Sequence, residues 1–164
     1  MTPLPLVSPT QSAVSITGVS VAHDGRVVLG PLDLEIGRGS WVCLIGPNGA
    51  GKTSLLHAIT GLVPHRGSVH VDGQHLERLG AGARARLVAL VPQNPTIPHE
   101  LTVAEYVLLG RTPHISRFGI ESAQDRAVAA TVIERLDLAS FAARPLAHLS
   151  GGELQRVLLA RALA

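Results

Sequence analysis

The sequence predicts an α/β protein with a helical appendage, and three observations predict it. Strand-type segments flank a single helical segment in the first part of the chain, and from Leu101 onward the pattern turns helical. A glycine-rich turn, Gly46–Ser54, joins a continuous apolar run to that first helix. Hydrophobic residues make up 46% of the 164-residue chain and charged residues 16%, enough for a buried core, and the 2% of aromatics makes that core aliphatic.

The elements follow in order. Residues Met1 to Ser12, rich in Pro, Ser and Thr, read as a flexible tail. "AVSITGVSV" (Ala13–Val21) carries β-branched residues in near alternation and reads as a strand. "RVVLGPLDLEI" (Arg26–Ile36) alternates too, with Leu32, Leu34 and Ile36 on one face. "SWVCLIG" (Ser40–Gly46) is a short apolar run, the signature of a strand buried on both faces, with Cys43 as a small core residue. "KTSLLHAITGL" reads as a helix with Leu55, Leu56 and Ile59 inward. "GSVHVDG" (Gly67–Gly73) is a short strand closed by an Asp-Gly turn, and "RLVALVPQ" (Arg86–Gln93) a further apolar strand ended by Pro92. "LTVAEYVLLGR" opens a helix, with Thr102 and Glu105 in capping-box spacing. "ESAQDRAVAATVIERLDL" is a second amphipathic helix whose stripe is Val128, Val132, Ile133, Leu136 and Leu138. No repeat of fixed period is present.

Composition excludes several classes. A net charge of +2 gives no case for nucleic acid as a partner. A single cysteine rules out an intrachain disulfide and fits a reducing compartment. "MTPLPLVSPTQS" places no basic residue ahead of an apolar run, so it does not read as a secretory signal. No apolar run approaches the roughly 18–20 residues that span a bilayer, so a membrane role has to come through a partner.

Two motifs carry chemistry. "GPNGAGKTS" (Gly46–Ser54) fits G-x-x-x-x-G-K-S/T without deviation, with an apolar strand pattern before it and a helical one after it. Gly46, Gly49 and Gly51 let the backbone turn so that successive N–H groups converge on one anion. Lys52 brings a positive charge to the β- and γ-phosphates, Thr53 a hydroxyl to Mg²⁺, and the helix its positive end. The alternative is a glycine-rich turn with a chance lysine. The second motif is "LSGGELQR". Ser150 is a good N-cap and Glu153 completes a capping box. Gly151 and Gly152 cost helix propensity, roughly 1 kcal/mol each against alanine, yet leave the first N–H groups unshielded by any Cβ. An ordinary capped helix accounts for Ser150 and Glu153 but leaves the glycine pair idle; close approach to an anion accounts for all four.

In this order, "GPNGAGKTS" and "LSGGELQR" make the chain resemble the ATP-binding subunits of ABC transporters, as phosphate loop and signature sequence. Gln93, after "LVALVP", matches the glutamine of the family's Q-loop. The resemblance runs from Ala13 to Ala164. It implies a phosphate-loop NTPase fold of the ABC ATPase type: a nucleotide-binding core with an antiparallel subdomain over 13–92, a Q-loop and helical subdomain over 93–148, and the signature with the start of its helix over 149–164. It implies ATP held by Gly46, Pro47, Asn48, Gly49, Ala50, Gly51, Lys52, Thr53 and Ser54, with Thr53 and Gln93 on Mg²⁺ and Gln93 as the catalytic candidate. Family subunits pair head to tail as a homodimer. Ser150, Gly151, Gly152 and Glu153 would then meet the γ-phosphate of the partner's nucleotide. The implied partners are polytopic membrane permease subunits and, indirectly, a substrate-binding protein, at the cytoplasmic face of the plasma membrane. "LGRTPHISRFG" (Leu109–Gly119) resembles the corresponding segment of importers of iron–siderophore complexes, haem and cobalamin; read without the family it is a loop between two helices, with Pro113 and Gly119 as breakers. A non-transport ABC ATPase, serving iron–sulfur assembly, translation or DNA repair, is the alternative.

Two features depart from the family. The aromatic that family members stack on adenine falls at His23, which reads equally as an exposed loop residue. The other histidines (His57, His65, His70, His75, His99, His114 and His148) show no two-His helical spacing for a metal and read mostly as surface residues. The family's adjacent Asp-Glu pair, which supports Mg²⁺ and the attacking water, follows the signature helix, and no segment up to Ala164 supplies it. The expectation is therefore the N-terminal part of an ABC ATPase, with an incomplete central sheet, exposed apolar surface and no hydrolysis by this chain alone.

Overall fold

A computed structural model describes residues 12–93, 95–116 and 119–164. The tail expected over Met1–Ser12 lies outside the described residues except for Ser12. The chain forms two compact units, Met1–Val88 and Ala89–Ala164. No helix among the described residues is long and apolar enough to cross a membrane.

The first unit is built on an antiparallel sheet of four strands: β1 (Ser12–His23), β2 (Arg26–Gly37), β3 (Arg66–Val71) and β4 (Gln74–His75), in the order β2-β1-β3-β4. β1 and β2 meet at a two-residue turn, Asp24–Gly25, and β3 and β4 at Asp72–Gly73; all four turn residues have positive φ, the geometry that suits a right-twisted hairpin. α1 (Lys52–Ile59) lies on this sheet. Leu55 and Ala58 join Ile16, Val19, Val21, Val69, Val71 and Leu76 in one buried core, against which Leu32, Leu34 and Ile59 pack. Leu56, expected inward, is 43% exposed; Ala58 takes the inward place because it follows Leu55 at helical spacing over the sheet.

Two predicted strands are not formed. Ser40–Gly46 has no regular structure, and Trp41 and Ile45 are 97% and 91% exposed. An apolar run becomes a strand only when neighbours supply its ladder, and no described strand pairs with this one. Cys43, expected in the core, is exposed for the same reason. Arg86–Gln93 is likewise irregular, and its first residues end a helix, α2 (Ala81–Leu87). "AGARARL" is rich in Ala and Arg, strong helix formers, and that local preference carries through Leu87 before Val88 turns extended.

The second unit is helical: α3 (Val103–Leu108), α4 (Ala123–Arg135) and α5 (Gly151–Leu163), linked by 3-10 turns at Leu109–His114, Ala139–Phe141 and Leu146–His148. Val103, Tyr106, Val107, Val132, Ile133, Leu138, Leu146 and Val157 are among its buried core. Each of the three α-helices starts on a capping box. Thr102 and Glu105 form the expected one, Ser150 and Glu153 the second, and Ser122 with Asp125 a third that the sequence reading did not single out. Backbone bonds from Val103 to Arg144, Ala104 to Ala142 and Leu146 to Leu101 fasten the start of α3 to the segment that leads into the signature. At the other end of α5, Gly110 lies against the Arg161 carbonyl, and Arg111 donates to Asp125 and to the Ala164 carbonyl.

Candidate functional site

The loop Gly46–Ser54 leaves the irregular segment and turns into α1. Gly49 and Gly51 hold φ of 81° and 82°, the left-handed region where a Cβ is penalised. The two glycines differ in their surroundings. A Cβ at Gly49 would meet nothing within 4 Å, whereas one at Gly51 would lie 2.6 Å from the Val28 carbonyl of β2. Gly51 is thus the point at which the loop leans on the sheet. It is also the N-cap of α1 and brings no side-chain cap, and the first turn contains no acid. The first helical bond runs from the Leu55 N–H to the Gly51 carbonyl at 2.9 Å. Helix geometry leaves the preceding amides without intrahelical acceptors, and they carry the positive end of the helix dipole.

Lys52 folds back over the loop. Its Nζ donates to the carbonyls of Gly46 at 2.7 Å and Pro47 at 2.8 Å. The ammonium therefore sits at the mouth of the turn, where among the described residues it bonds neutral carbonyls and no carboxylate. Pro47, Asn48, Ala50 and Thr53 are exposed around it, and Ser54 is half-buried. An uncapped helix start, a cation resting on loop carbonyls and an accessible hydroxyl fit an oligophosphate with a divalent ion.

His23 belongs to the same unit. It closes the β1–β2 hairpin opposite Arg26, and its side chain is exposed, with Nε2 3.5 Å from Asp24. Gln93 is exposed in the second unit.

The signature turn lies in the second unit at the start of α5. The Glu153 carboxylate accepts from the Ser150 N–H at 2.7 Å, and the Ser150 hydroxyl accepts from the Glu153 N–H at 3.4 Å. The bond from the Ser150 backbone, then that from its hydroxyl, hold the Glu153 carboxyl below the usual range against the opposing effect of burial, with help from Arg144 and Arg156. Gly151 and Gly152 are exposed and have open space where a Cβ would be. Among the described residues the glycine pair thus answers no packing need. Arg144 escaped the sequence reading: its guanidinium stacks over Phe141 and lies 3.9 Å from Glu153. The signal was too weak to find, because Arg144 lies in an irregular stretch at no helical spacing from Glu153.

Fold and loop place the chain in the class of phosphate-loop α/β proteins. Residues 29–164 match the family model described as ABC transporter, and the chain belongs to that family. Among curated relatives, a cobalamin import ATP-binding protein of Halobacterium salinarum is 44% identical over 152 residues, 92% of this chain and 38% of that protein. A hemin import ATP-binding protein of Gloeobacter violaceus is 44% identical over 148 residues, 90% of this chain and 53% of the relative. An iron(3+)-hydroxamate import ATP-binding protein of Bacillus subtilis is 36% identical over 154 residues, covering 93% and 57%. The chain therefore spans about 38–58% of the length of such relatives. Among solved structures, a metal-chelate type ABC transporter in an inward-facing conformation superposes with TM-score 0.76 at 27% identity, over 93% of this chain and 56% of that one. The ADP conformation of an ATP-binding cassette of an ABC transporter superposes with TM-score 0.81 at 22% identity, over 94% and 65%, a likeness of fold.

Proposed function

We propose that the chain binds MgATP at Gly46–Ser54 and serves as the ATP-binding part of an importer for a metal chelate such as an iron–siderophore complex, haem or cobalamin. The observation that carries the nucleotide reading is the ammonium of Lys52 resting on loop carbonyls beside an uncapped helix start. Such an arrangement supplies a mobile cation and convergent N–H donors to the β- and γ-phosphates. Thr53 and Gln93 are the proposed Mg²⁺ ligands, and the ion supplies charge neutralisation at the phosphates when bound. His23 is the proposed adenine contact. Gln93 is the proposed water-orienting residue. Ser150, Gly151, Gly152 and Glu153 are proposed to serve the nucleotide of a second copy in a head-to-tail homodimer. The names of the relatives support import as the output; permease subunits as membrane partners, a substrate-binding protein indirectly, and the cytoplasmic face of the plasma membrane as the location are proposed with it.

The test is a titration of the purified chain with a fluorescent ATP analogue, with and without Mg²⁺. Lys52→Ala is expected to weaken binding at least tenfold, the scale of one charge-assisted phosphate contact of about 1.5–3 kcal/mol. Equal affinity of parent and variant refutes the cradle.

A further inference from the structure

We propose that His65, Glu77 and His75 form a proton-dependent clasp that fastens the foot of the phosphate-loop helix to the sheet. α1 ends at Ile59, and the chain turns back through Gly61, where the Leu62 N–H bonds the His57 carbonyl at 2.8 Å. That turn delivers His65, whose side chain is only 5% exposed, to the start of β3. Its Nε2 lies 2.6 Å from Glu77 Oε1, and its Nδ1 lies 3.3 Å from the Val63 carbonyl.

Both facing groups are acceptors. A carbonyl oxygen never donates, and an ionised carboxylate has no proton to give. The pair of contacts is satisfied only by a ring that bears a proton on each nitrogen. A neutral ring, in either tautomer, sets one bare nitrogen against an oxygen in a nearly dry place, a repulsive contact and an unmade hydrogen bond.

Glu77 is held ready as the anion. Burial pushes its carboxyl up, but the backbone bond at Glu77 itself, the His65 bond, the Val69 N–H and the charge of His75 together bring it below the usual range. Oε1 takes the Val69 N–H at 3.1 Å. Oε2 faces His75 Nδ1 at 2.5 Å, a contact of charge rather than of well-aligned hydrogen bonding, since that buried nitrogen has no partner with hydrogen-bond geometry. The remaining ionisable groups around the clasp are His70 on β3, with its ring 4.7 Å from that of His75; Arg84 on α2, which donates to the Gly61 carbonyl at 3.3 Å; and the exposed Arg66 and Arg78 beside His65 and Glu77.

The sign follows from linkage. With Glu77 held low, its share is present above the usual carboxylate range and is lost only in acid. Both contacts of His65 are made while the ring bears a proton on each nitrogen, and one of them is unmade once either proton leaves. The eight residues of α1 span about 12 Å, so loosening its foot acts on the same rigid element that carries the phosphate loop.

The experiment uses the whole chain. Long-range ¹H–¹⁵N spectra of the imidazole nitrogens give the protonation pattern of His65 across a pH series, and hydrogen exchange gives the protection of the Leu62 amide after correction for intrinsic exchange. The clasp predicts two N–H nitrogens at His65 at the acid end of the series. It also predicts that Leu62 protection falls by about tenfold per pH unit once that pattern is lost. In His65→Gln, whose amide donates to Glu77 at every pH, the protection is expected to stay level over the same span. A neutral His65 at every pH where the chain is folded, or the same fall in His65→Gln, overturns the proposal. Should His65→Gln fail to fold, the nitrogen pattern of the parent still decides.

Discussion

Replacing the two left-handed glycines of the phosphate loop, one at a time, separates backbone strain from contact. Gly49→Ala and Gly51→Ala impose the same conformational burden, because both residues have φ near +81°. Alanine in that region costs about 1–2 kcal/mol. At Gly49 nothing more is added, since the Cβ enters open space. At Gly51 the Cβ stands 2.6 Å from the Val28 carbonyl and 3.4 Å from Leu29 Cβ. Val28 is the extra residue of an irregularity in the β1–β2 register, between Val27 opposite Ala22 and Leu29 opposite Val21, so its carbonyl, being backbone, retreats only if the flanking pairs of β2 shift with it. Forcing an extra carbon into a packed site costs about 1–3 kcal/mol. The expected losses are therefore about 1–2 kcal/mol for Gly49→Ala and about 2–5 kcal/mol for Gly51→Ala. Urea denaturation followed by far-ultraviolet circular dichroism measures both. A Gly51→Ala loss no larger than that of Gly49→Ala refutes the reasoning, because it means that the loop does not lean on β2.

Three further outcomes follow from the second unit. Asp125 is held down to about 2, first by the Ser122 hydroxyl, then by the Ser122 N–H and Arg111, so its contribution is present above the unfolded carboxylate range and fades as pH falls toward that value; thermal melting across that acid range should show a step that Asp125→Asn removes. Gly110→Ala drives a Cβ into the Arg161 carbonyl, which is backbone and cannot swing aside, so it should lower the melting temperature of the chain far more than Gly80→Ala, where the added Cβ meets nothing within 4 Å. Gly152→Asp puts an acid in the first turn of α5, where the dipole favours it by about 0.3–1 kcal/mol, so melting should be nearly unchanged while MgATP-driven dimerisation of a longer form, read by gel filtration, is abolished.

Legibility in the sequence tracked the range of the forces involved. The Asp72–Gly73 turn, the capping boxes at Thr102 and Ser150 and the glycine loop are decided within a few residues, and all were readable; the Asp24–Gly25 turn is equally local but was not singled out. Of the stripe Val128, Val132, Ile133, Leu136 and Leu138, Val132 and Ile133 are buried on α4 because helical period is local, Leu136 and Leu138 join the same core just past the helix end, and Ala129 takes the inward place beside Val128. Ser40–Gly46 was misread because its strand character depends on neighbours that no described residue provides. Leu56 lost its place to Ala58 because the face that α1 presents is chosen by the sheet. His65, read as a surface residue, is nearly buried because Glu77 reaches it across twelve residues of chain. Arg144 was invisible for the same reason, its partner Glu153 being fixed by tertiary placement. Of the candidate site, the phosphate loop and the signature turn are each one contiguous stretch, so a sequence pattern can single them out without tertiary information.

The two helix starts in the candidate site are built differently, and the difference bears on how they are used. α1 begins without a side-chain cap, without an acid in its first turn, and with the Lys52 ammonium over the loop. All of its electrostatics favour an anion, so it can hold one by itself. α5 begins with its Ser150 cap already spent on Glu153, and with the Glu153 carboxylate drawn in against the Ser150 N–H. That carboxylate offsets part of the dipole that would attract a phosphate, and Arg144, 3.9 Å away and half-exposed, compensates it only weakly. What α5 retains is access: two glycines with nothing where a Cβ would stand. A site that offers close approach but little net attraction does not capture a free anion. It completes the coordination of one that is already held. On the proposed reading, the phosphate loop of one copy brings the nucleotide and its charge, and the signature turn of the other supplies only the last donors. That reading predicts that ATP is bound before the two copies close, with the order of events set by which helix carries the acid.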